Sequence, residues 1–177
     1  MSSTLRPGNL RAALDAKLAA AMSQLAELQE ADQPRVTPHL NAREIVGSFL
    51  LYARGVYTVA AAFGSAQVGD LQFNAWYGQW MAKLGDPDLV LWKQLREDRV
   101  QPGHGPGAAL TELEISVTAD PSTGVHEQPG ARADVRKRLV RFAAFPDRAA
   151  SGVCDDYLRL SKRLAGEFIR DHARFLP

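Results

Sequence analysis

The chain has 177 residues, enough for one ordinary domain with a core of its own, so neither disulfide staples nor a structural metal is needed for folding. Apolar residues at 46% and charged residues at 23% exclude the composition of a disordered chain, and 21 Lys and Arg against 20 Asp and Glu leave a net charge of +1, which excludes a global field for nucleic acid or anionic lipid. The single cysteine, Cys154, excludes an internal disulfide or a thiolate metal cluster and favours a cytoplasmic address.

The opening Met1-Ser2-Ser3-Thr4, with Asp15 soon after, does not read as a signal peptide. No run approaches the roughly eighteen consecutive apolar residues of a membrane span. A soluble protein with no membrane partner is therefore expected. Leu10, Leu14, Leu18, Ala21, Leu25 and Leu28 recur at spacings of three and four, which predicts an amphipathic helix. Pro34 and Pro38 remove amide donors and make the following stretch a linker.

The second helix is predicted from about His39 to Phe63, with Ile45, Phe49, Tyr52, Val56, Val59 or Ala60, and Phe63 along its core stripe. Its opposite side carries Gly47, Leu51, Arg54, Gly55, Thr58 and Ala62, mostly small residues that invite a second helix to pack closely. A third helix begins after Gly69-Asp70 with Phe73, Trp76, Tyr77, Trp80 and Leu84 in one stripe, and both Trp76 and Trp80 are expected in the core. Gly85-Asp86-Pro87 supplies a stop, a capping carboxylate and a proline at the first helical position. The fourth helix starts there, carries Leu91, Trp92, Leu95, Arg96 and Arg99, and ends near Val100, ahead of Pro102.

Leu113, Ile115 and Val117 alternate with Glu112, Glu114 and Ser116, the period of a half-buried strand. A second strand is expected from Val135 to Phe145, after a long polar loop, and a last helix from about Ala149 to Phe175 with Tyr157, Leu160, Leu164 and Phe168 in its stripe. The expected fold is mainly α: a bundle of four to five helices with a small β-hairpin inserted before the C-terminal helix. Residues 1–177 form a single domain, with an N-terminal helix and linker over 1–38 and the bundle core with its β insertion over 39–177.

Chemistry is sparsely marked. The chain has no phosphate-binding loop, zincin helix, nucleophile elbow or dinucleotide fingerprint. Gly103, Gly105 and Gly107 precede a strand, whereas a dinucleotide loop opens a helix. His104 and His126 have no metal-ligand spacing, and solvated loop side chains account for them, so no metal and no cofactor is expected. Asp155-Asp156 suits the positive end of the last helix. Arg132, Arg136, Lys137, Arg138 and Arg141 are either a phosphate-binding strand or an edge strand kept from aggregating by its charges. Aromatic platforms for stacking bases are not interleaved with them.

Ser48-Phe49-Leu50-Leu51-Tyr52-Ala53-Arg54, Phe73-Asn74-Ala75-Trp76-Tyr77, and Leu95-Arg96-Glu97-Asp98-Arg99 followed by His104 carry a resemblance in the order of the parts. Over roughly residues 40 to 175 the chain resembles HEPN-type domains, helical bundles named for nucleotide binding in higher eukaryotes and prokaryotes. Many such domains carry an arginine and a histidine with four to six residues between them, as Arg99 and His104 are spaced here, and active members resemble metal-independent endoribonucleases. Val100 stands where a polar residue is usual, Pro102-Gly103 interrupts the segment, and with Arg96 as the equivalent arginine the gap is seven residues.

The resemblance implies binding of RNA or a nucleotide and metal-independent endoribonuclease chemistry in a homodimer, with Arg96, Arg136, Lys137, Arg138 and Arg141 along the nucleic acid. His104 would take the ribose 2′-hydroxyl proton and Arg99 would stabilise the charge growing on phosphorus. The alternative, from the residues themselves, is that Arg99 caps its helix end, His104 belongs to a turn, and the domain is a non-catalytic helical module for protein contacts or dimerisation.

Overall fold

The computed structural model describes residues 7–33, 41–97, 110–118 and 134–172. Its elements run α1 (Pro7–Ala31), α2 (Ala42–Gln67), α3 (Asp70–Ala82), α4 (Asp86–Glu97), β1 (Leu110–Thr118), β2 (Asp134–Phe142) and α5 (Ala150–Asp171). Five helices with one antiparallel hairpin before the last is the architecture expected from the sequence.

Local chemistry sets the helix ends. Asn41 caps α2, its side-chain oxygen accepting from the Arg43 and Glu44 amides at 3.2 and 3.4 Å, which moves the start beyond the expected His39. At the α2–α3 turn Gly69 has φ +92°, a conformation that costs a residue with a Cβ. α5 begins after Ala149, which offers no side-chain cap; instead the Ser151 amide donates to Oδ2 of Asp32, at the end of α1, over 3.1 Å.

α1 packs on α2 and α5, and its Leu10, Leu14 and Leu28 are fully buried in one core with Phe49, Val56, Ala60 and Phe63 of α2. Ala60, not Val59, occupies the core stripe. The other end of the core is aromatic. Trp80 meets Trp92 edge-on at 4.9 Å, Trp92 lies 5.1 Å from Tyr157, and Phe168 of α5 meets Phe63 and Phe73 edge-on at 6.2 and 5.9 Å. Such pairs contribute about 0.5–1.5 kcal/mol each beyond the area they bury.

Trp80 is 1% exposed, as expected of a core residue. Trp76 is not fully enclosed: it lies half-buried at the edge of the core, where its indole N–H donates to Oδ2 of Asp171 over 3.0 Å. The helical stripe carries both residues, but α5 crosses at Trp76 with its polar end, so an amphipathic ring is satisfied there by one wet partner.

The hairpin pairs Leu110 with Phe142 and Thr118 with Asp134. β2 ends at Phe142 instead of Phe145, because the Phe145 amide turns back to the Phe142 carbonyl at 2.9 Å. Val140 and Phe142, 4% and 2% exposed, root β2 in the bundle.

Candidate functional site

Two places in the described residues combine charge with shaped surroundings. The first lies where α2, α3, α4 and α5 converge at the end of α4. Its centre is the Tyr77 hydroxyl, which accepts from the Trp92 indole N–H at 2.6 Å and from Nη1 of Arg96 at 2.7 Å. The Arg96 guanidinium lies 4.0 Å from the Tyr57 ring centroid and 4.9 Å from that of Tyr77, close enough for cation–π attraction to both. Burial raises the Tyr77 pKa above its ordinary value, with the two donors and the Arg96 charge opposing that shift. Beneath them the Tyr157 hydroxyl is buried with no partner among the described residues, and burial raises its pKa further. Arg54 of α2 donates from Nε to the Leu95 carbonyl, one of the acceptors left over in the last turn of a helix.

Arg96 is held against two tyrosine rings of its own chain, and with Arg54 it ties the end of α4 to the bundle. Tyr57 and Tyr77 present their ring faces to the guanidinium, a meeting of α2, α3 and α4 that no local spacing in the sequence marks.

Arg99 and His104 lie outside the described residues, as do Arg132 and His126. Arg136, Lys137 and Arg138 lie on β2 opposite Ser116, Ile115 and Glu114. Arg141 donates from Nη1 to the Pro146 carbonyl over 2.6 Å. Among the described residues no three His, Cys, Asp or Glu side chains converge as a metal site. The thiol of Cys154 is fully buried, and desolvation raises its pKa, with the charge of Asp32 adding to the effect.

The second place is a groove of about 1020 Å³ along the outer side of α2. Gly47, Ser48, Leu51, Gly55 and Val59 line it together with Lys17 of α1 and Arg43, Glu44 and Arg54. Lys17 reaches in from α1: a Cβ built on Gly55 would stand 3.0 Å from its Cδ, and its ammonium lies 5.6 Å from the Tyr52 ring centroid. The sequence predicts a second helix packed on this face. Among the described residues none covers Leu51, which is 66% exposed. α2 is also the one described helix long and apolar enough to cross a membrane, yet only 39% of its most apolar stretch is buried in the bundle.

No family model, curated protein or solved structure matches the chain.

Proposed function

We propose that the domain is a non-catalytic helical interaction module whose α2 groove receives an amphipathic helix of a partner protein. Leu51 carries this reading: a large apolar side chain, 66% exposed, at the middle of the chain's most apolar helix. Single exposed leucines are common, but this one lines a groove of about 1020 Å³, the size that ligand grooves have. Helix-in-groove recognition needs such a groove and an apolar anchor. Panning a display library of helical peptides against the full chain and a Leu51→Asp variant checks it. Peptides should be enriched on the parent and lost on the variant, while the thermal unfolding of the two coincides; enrichment that ignores Leu51 removes the reading.

The fixed end of α4 supports a second reading, an RNA- or nucleotide-binding HEPN-like domain with endoribonuclease chemistry at Arg99 and His104. Arg54 and Arg96 clamp the last turn of α4, so the chain leaves toward Arg99 from a defined point, as a site built on a rigid element requires. On this reading a mixed RNA pool is cut in the presence of a chelator, His104→Ala abolishes the cutting, and the protein sediments as a homodimer. Intact RNA with a monomeric protein counts against it.

A further inference from the structure

We draw no further inference here: the strongest candidate, the buried Tyr157 hydroxyl in the aromatic seam between α4 and α5, carries nothing, because the cations beside it, Arg54 and Arg96, are already committed to the Leu95 carbonyl and the Tyr77 hydroxyl, and a lone buried hydroxyl does not define a ligand.

Discussion

At Gly64 the ring of Phe73 lies where a side chain would begin, a Cβ there standing 2.9 Å from its Cγ, whereas at Gly55 the neighbour is the stem of Lys17, 3.0 Å away at its Cδ. The two glycines occupy one helix and differ in what can yield. Phe73 is 2% exposed and wedged between α2 and α5; Lys17 is a flexible chain at the margin of an open groove. The aromatic end of the bundle has spent its small residues on internal packing. The groove end sets its small residue against a side chain that can move, and the contrast separates the rigid part of the packing from the part that can yield.

The largest effect should come from the aromatic end. Trp80→Ala removes a ring packed on Tyr77 and Trp92 and should cost about 3–5 kcal/mol in chemical denaturation. A loss below about 1 kcal/mol would mean that the seam is not the stabilising region. Next, Tyr77→Phe keeps the ring but leaves the Trp92 indole N–H without its acceptor and removes a partner of Arg96. The expected loss is about 2 kcal/mol, and Arg96→Ala in the Tyr77→Phe background should then add less than it does alone, a coupling that a double-mutant cycle reads directly.

The paired substitutions Gly64→Ala and Gly55→Ala sharpen the contrast itself. At Gly64 overpacking against Phe73 should outweigh the gain in helix propensity and leave a net loss of about 1–2 kcal/mol. At Gly55 the lysine stem can move aside, and stability should change by less than about 1 kcal/mol. Equal losses at the two positions would show the groove to be as tightly packed as the core.

The smallest effect concerns acid. The Trp76 indole N–H is the main cause holding the Asp171 carboxyl below its ordinary pKa, helped by Arg170. A carboxylate with a depressed folded pKa adds stability above its unfolded value, near 3.9, and loses it as pH falls through the folded value. Asp171 is largely exposed, so after solvent screening Asp171→Asn should cost no more than about 1 kcal/mol at neutral pH. That difference should shrink as pH falls below the unfolded value and through the depressed folded one; if it persists once the carboxyl is protonated, the contact acts through packing instead of charge.

Elements that rest on local chemistry are legible in the sequence. Gly69 and Gly85-Asp86-Pro87 mark the starts of α3 and α4, and the three- and four-residue spacing of Leu10 to Leu28 marks α1. Contacts between elements are less so. Trp76 and Trp80 share a stripe, and only the path of α5 decides that one is enclosed while the other reaches Asp171. The small-residue face of α2 is visible as a pattern, but the same pattern fits a packed helix and an open groove. Arg96 reads as a free cation until α2 and α3 bring Tyr57 and Tyr77 around it.

The cap on α5 has a consequence for the order in which the chain is made. The carboxylate of Asp32 and the Ser151 amide that it satisfies are 119 residues apart. As a nascent chain leaves the ribosome, α1 and α2 can meet early, since they are neighbours in sequence. The end of α1 must then wait for nearly the whole of the remaining fold before α5 emerges to close over it. During that interval the apolar sides of α1 and α2 that face α5 stay uncovered.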